Sequence, residues 1–166
     1  WSSDVCSSDL VFLDYPASKA VSIDFTNTFT AQNTFSGSSS VLAAVFNNAA
    51  ETTTISATAA TGTINIDFST QSVLYYTTNA SANWIVNFRH SSGTTLNTAL
   101  AIGQTITMTF LVTQGTTAYY NTSVQVDGTT TGVTTKWQNG IIPSAGDPSS
   151  IDVYTYAIIK TASSTR

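Results

Sequence analysis

Charge is what this chain has least of. Asp, Glu, Lys and Arg make up 8% of its 166 residues, against about 25% in ordinary globular domains. The five bases, Lys19, Arg89, Lys136, Lys160 and Arg166, are scattered, and the formal net charge is -4. No basic stripe exists to displace counterions from a phosphate backbone, which excludes a nucleic-acid partner. Cysteine is confined to Cys6 and histidine to His90. One cysteine cannot form an intrachain disulfide or a thiolate metal cluster. One histidine leaves a His-based metal centre or a His–carboxylate catalytic pair with a single candidate. His90 follows Arg89 and precedes Ser91-Ser92-Gly93, the position of an exposed residue at a strand end. The longest apolar run, Val41-Leu42-Ala43-Ala44-Val45-Phe46, is far short of the roughly 20 residues that cross a bilayer, so no membrane insertion is expected. The N-terminal residues do not follow the basic, apolar, small-residue succession of a secretory signal.

What the chain does have is apolar and aromatic content, 42% and 11%, ample for the core of one domain. Thr, Ser and Asn take the place of charge, hydrating the surface, and Thr favours strands through β-branching. Alternation with a period of two recurs along the chain. Ile64, Ile66 and Phe68 share one face, with Asn65 and Asp67 on the other. Trp84, Val86 and Phe88 alternate with Asn87 and Arg89. Ile106, Met108, Phe110 and Val112 alternate with threonines. Further strands are predicted at 41–47, 52–58, 72–78, 117–126 and 151–160, separated by Gly, Asn, Ser and Pro turn signals. Asp127-Gly128 predicts a tight turn, and helical periodicity is confined to Leu96–Ile102. About nine strands without long helices predict an all-β fold, an antiparallel β-sandwich or jelly-roll-like head.

No acid sits in a recognisable catalytic motif. Of the acids from Asp24 onward, only Asp147 and Asp152 lie close together in the sequence, and turn and surface positions are the better reading for all of them, so no enzyme, metal site or cofactor is expected. Arg89, on the strand that begins at Trp84, reads as one half of an ion pair or as a plain surface charge. Tyr75-Tyr76 and Tyr119-Tyr120 each place one ring on either side of a strand. Exposed members, with Trp137, offer platforms for sugar rings, although core packing is the commoner use of such residues. The longest predicted loop, 137–150, contains Pro143 and Pro148 and reads as a stiffened recognition loop or as an ordinary crossover. The candidate recognition surface is therefore Trp137, Tyr76, Tyr119, Asn139 and Asp147.

Residues 11–40 have a different texture, polar with spaced aromatics. Asn27-Thr28-Phe29-Thr30 returns six residues later as Asn33-Thr34-Phe35-Ser36, and Ser38-Ser39-Ser40 closes the stretch. It reads as a fibrous stalk or as a Thr/Asn-rich linker, preceding a β-domain at 41–166. In the stalk reading, Phe25, Phe29 and Phe35 are oligomer contacts around a shared axis. Residues 1–10 match neither texture and resemble translated sequencing adapter, which would make Cys6 meaningless.

Taken together, Thr28-Phe29-Thr30 through Gly37, Ala57 through Ile64, Asn83-Trp84-Ile85-Val86-Asn87-Phe88-Arg89, Gln125-Val126-Asp127-Gly128, Lys136-Trp137-Gln138, and Ile151-Asp152-Val153-Tyr154 with Ile158-Ile159-Lys160-Thr161 resemble structural proteins of marine tailed phages known from metagenomes, of the tail-fibre or appendage type. The resemblance runs from about Asp14 to Thr165. It implies a virion component assembled in the host cytoplasm, a homo-oligomer with a trimer the common form, other virion proteins as neighbours, and a host-surface glycan as a partner at attachment. Chains of that kind carry another apolar strand after Thr165, so this one is expected to continue beyond Arg166.

Overall fold

The computed structural model describes residues 28–30, 33, 35, 44–47 and 49–163. The chain divides into two compact units, Trp1–Asn48 and Ala49–Arg166. In the first, the described residues Phe29 and Phe35 are exposed, and Phe25 lies outside the described residues. The part of the predicted strand 41–47 that is described, 44–47, is irregular rather than extended into a sheet.

The second unit is built from β1 (Thr53–Ala59), β2 (Gly62–Asp67), β3 (Val73–Thr78), β4 (Trp84–Arg89), a short helix α1 (Leu96–Ala99), β5 (Thr105–Thr113), β6 (Asn121–Val126) and β7 (Ile151–Ile159). Seven strands thus form among the described residues, and the strand expected at 117–126 begins only at Asn121. Strands β1-β3-β5-β7 make one sheet and β2-β4-β6 the other. Successive strands alternate between the two sheets, and each pairs with the strand two places earlier. The chain therefore winds as a coil. Thr53 stands beside Val73 and Gly62 beside Trp84, so the first turn takes 20 to 22 residues. The next is lengthened by the segment carrying α1, with Val73 beside Thr109 and Trp84 beside Asn121.

The all-β expectation holds, but its antiparallel form does not. Four pairings are parallel, and only β5–β7 is antiparallel. Parallel strands need a crossover of a dozen or more residues, usually a helix; here a strand of the opposite sheet is the crossover. The links at 60–61 and 79–83 are as short as hairpin loops, yet they pass the chain from one sheet to the other.

Alternation decides which side chains enter the space between the sheets. Ile64 and Ile66 of β2, Trp84, Val86 and Phe88 of β4, Leu74 of β3, and Met108, Phe110 and Val112 of β5 form the buried core. Aromatic edges join the two layers: Trp84 meets Phe110 at 6.2 Å, and Phe88 meets Tyr156 at 5.0 Å. Truncating either Trp84 or Phe88 to Ala would cost about 3–5 kcal/mol. On the outward face of the three-stranded sheet, Asn65, Asn87 and Gln125 occupy one rung. Asn87 Nδ2 donates to Asn65 Oδ1 at 2.7 Å, while its Oδ1 accepts from Gly128 N–H at 2.7 Å. Asn87, expected to face solvent, is consequently buried.

Candidate functional site

A concavity opens along the β6–β7 side of the coil. It has a volume of 730 Å3 and is lined by Phe88, Val124 and Val126 from the three-stranded sheet, by Tyr154, Tyr156 and Ile158 from β7, and by Trp137 from the loop. Volumes of about 300–1,000 Å3 are typical of small-ligand sites. Position along the strand explains the lining of β7: its even-numbered residues point between the sheets, so Tyr154 and Tyr156 stand on the same face, their rings 6.3 Å apart and within 11° of parallel. Trp137 closes one wall edge-on to Tyr156 at 6.4 Å. The Tyr156 hydroxyl is buried and has no hydrogen-bond partner among the described residues. Burial pushes its pKa well above the ordinary phenol value, with the nearby Tyr154 adding to the shift. Burial also raises Tyr154 and Tyr76.

The ends of this cleft are fixed by polar contacts. Asp127 and Gly128 form a two-residue turn with positive φ at both positions, 51° and 80°, closed by reciprocal backbone bonds between Val126 and Thr129. This is the tight turn the sequence predicts. The Asp127 carboxylate accepts from Leu96 N–H at 2.7 Å and Asn97 N–H at 3.1 Å, and Thr95 Oγ1 accepts from Thr98 N–H, so the orphan donors at the start of α1 are satisfied. At the other end of α1, Lys160 Nζ donates to the carbonyls of Asn97 and Leu100, the favourable place for a cation. Lys160 and Asp127 line the cleft, but both are committed to holding the helix.

A second polar knot anchors the 137–150 loop. Gln114, buried at the end of β5, donates to the Tyr119 carbonyl at 2.6 Å and to Asp152 Oδ2 at 2.8 Å, and its own Oε1 accepts from Tyr119 N–H. Asp152 Oδ1 accepts from Asp147 N–H and Ser150 Oγ, each at 3.3 Å. Gly146 fits against this knot with no room for a side chain.

The residues singled out from the sequence fall in three places. Trp137 is half-buried in the cleft wall, and Asn139, exposed, follows it in a single helical turn at Gln138–Gly140. Tyr119 and Asp147 belong to the Gln114–Asp152 knot. Tyr76 turns inward, edge-on to Phe110 at 5.1 Å, while Tyr75 takes the outer face. Arg89 pairs with Asp67 through two guanidinium nitrogens, which raises the Arg89 pKa further. His90 is partly buried and its carbonyl accepts from Ser69 N–H. Among the described residues, no group of three or more His, Cys, Asp or Glu is placed to hold a metal ion, and no helix is long and apolar enough to cross a membrane. Sequence reasoning missed Tyr154, Tyr156 and Lys160. The signal was present in the even positions of 151–160, but only the two-sheet geometry aims them at one cleft. The chain matches no family model, no curated protein and no solved structure.

Proposed function

We propose that this chain is a virion structural protein, a component of a tail fibre or appendage, working in a homo-oligomer, with a trimer the expected form, among other virion proteins and contributing to attachment at the host surface. Its work in this reading is mechanical and adhesive, without catalysis or cofactor, and its place is the virion after assembly in the host cytoplasm. The observation that carries the reading is the coil. A chain that winds turn upon turn along one axis lengthens without needing a larger globular core, which suits a fibre. The test is the solution mass of the full chain by light scattering. Three times the chain mass, lowered in the Phe29→Ser/Phe35→Ser double variant, is the expected result. A monodisperse monomer over the accessible concentration range would remove the fibre reading.

The cleft favours a second reading, a carbohydrate-binding module without catalytic activity. Trp137 and Tyr154, both half-buried in the cleft lining, are aromatic rings of the kind that stack on sugars. This reading requires glycan binding by a monomer and its loss on Trp137→Ala.

A further inference from the structure

The two outward faces of the coil differ in chemistry. That of the three-stranded sheet carries the Asn65–Asn87–Gln125 rung and, one rung on, the Asp67–Arg89 ion pair. Its amides and charges suit water. The outward face of the four-stranded sheet carries no Asp, Glu, Lys or Arg at any paired position. One rung crosses all four strands as Ile55–Tyr75–Leu111–Val153. The next holds Thr109 opposite Thr155, and the remaining outward positions of β7 are Ile151, Ala157 and Ile159. Ile55 is 68% exposed and Val153 60%.

We propose that this uncharged face is the self-association surface of the protein, meeting the like faces of the other copies of the chain around the oligomer axis. This rests on the homo-oligomer reading above and names the surface that serves it. Three physical arguments select a second copy. A face without charge can meet itself without like-charge repulsion, whereas a partner recognised by charge would find nothing here to pair with. Interface centres are depleted of charged residues and enriched in aromatic and apolar ones, the composition of the Ile55–Val153 rung. The area is also adequate. At about 4.8 Å between strands and about 3.3 Å per residue, the face measures roughly 20 Å by 20–30 Å. With side-chain relief this approaches the ~800 Å2 per partner of a standard interface. β-Branched side chains on a sheet interdigitate with those of a neighbouring sheet, so the contacts between copies would be of the same kind as those between the two sheets of the coil.

The test uses the full chain and sedimentation equilibrium. The expected result is an oligomer for the wild type, association weakened at least tenfold in Ile55→Lys/Val153→Lys, and unchanged mass in Thr63→Lys, which places the same charge on the outward face of the other sheet. Because both substituted positions are exposed, circular dichroism of the double variant should match the wild type. If the double variant fails to fold, the single substitution Thr155→Lys, exposed midway along β7 on the same face, asks the same question. A folded face variant that keeps the wild-type mass would overturn this assignment while leaving the oligomer reading intact, with the contacts elsewhere. A wild type that is monomeric throughout would overturn both.

Discussion

Gly146→Ala is the most discriminating single change in the Gln114–Asp152 knot. A Cβ at Gly146 would overlap the Tyr119 carbonyl oxygen and stand 2.8 Å from Asp152 Oδ2 and 2.9 Å from Gln114 Nε2. These are the atoms of the hydrogen bonds that tie β7 and the 137–150 loop to the end of β5, so the methyl group cannot be accommodated by the movement of one free side chain. Forcing a methyl into a packed site costs about 1–3 kcal/mol. Displacing Gln114 from the Tyr119 carbonyl and from the Asp152 carboxylate adds about 1 kcal/mol or more, since a hydrogen bond to a charged group is worth roughly 1.5–3 kcal/mol. A total near 3 kcal/mol corresponds to a fall of about 6–12 °C in Tm for a chain of this length. The assay is thermal unfolding followed by far-UV circular dichroism. Gly93→Ala is the control, since a Cβ there meets nothing within 4 Å, and it should lie within about 0.5 kcal/mol of the wild type. If Gly146→Ala melts within 2 °C of the wild type, the knot does not hold the loop as argued.

Alkaline pH should destabilise the fold from about pH 10 upward, where tyrosines of the unfolded chain ionise. Tyr156 is held neutral by burial and its folded pKa is raised, so its contribution is intact below the unfolded pKa and is lost as pH climbs toward the folded value; Tyr156→Phe should flatten the decline, and an unchanged slope would count against it. Asp127→Ala should lower stability by about 1–2 kcal/mol through loss of the α1 cap, and Asp127→Asn by less, because Asn keeps an acceptor oxygen and tolerates the positive φ. Hydrogen exchange at the Leu96 and Asn97 amides should rise in step, and protection that stayed at the wild-type level would disprove the cap. On the outer face of the three-stranded sheet, Asn87→Ala should cost about 1–2 kcal/mol, because it removes the hydrogen bonds to Gly128 N–H and Asn65 Oδ1, each worth about 0.5–1.5 kcal/mol. Arg89→Met should cost less than about 1 kcal/mol, since the Asp67–Arg89 side chains are each 27% exposed. Denaturant midpoints ranking the two in the opposite order would show the ion pair, not the amide rung, to be the stronger tie.

The sequence by itself determined that the chain is all-β, where most strands lie, and which residues of each strand face inward. Side chains alternate with a period of two, and a slip by one residue would expose an entire apolar set, as along Thr105–Thr113. It also determined the Asp127-Gly128 turn, because few residues accept positive φ at both positions. Pairing was not legible. Parallel sheets usually betray themselves by continuous apolar runs, since helices cover both of their faces. Here each sheet has one open face, so its strands keep the half-buried alternation of an antiparallel sheet. Nor do the short links at 60–61 and 79–83 say whether the chain doubles back beside itself or crosses to the other layer. Only the tertiary structure decided that β1, β3 and β5 lie side by side. That coiling gathers Trp137, Tyr154 and Tyr156 into one cleft and aligns Ile55, Tyr75, Leu111 and Val153 in one rung. Residues of that rung, 20 to 98 positions apart in the chain, acquire a common surface through register between strands, a relation that no local pattern encodes.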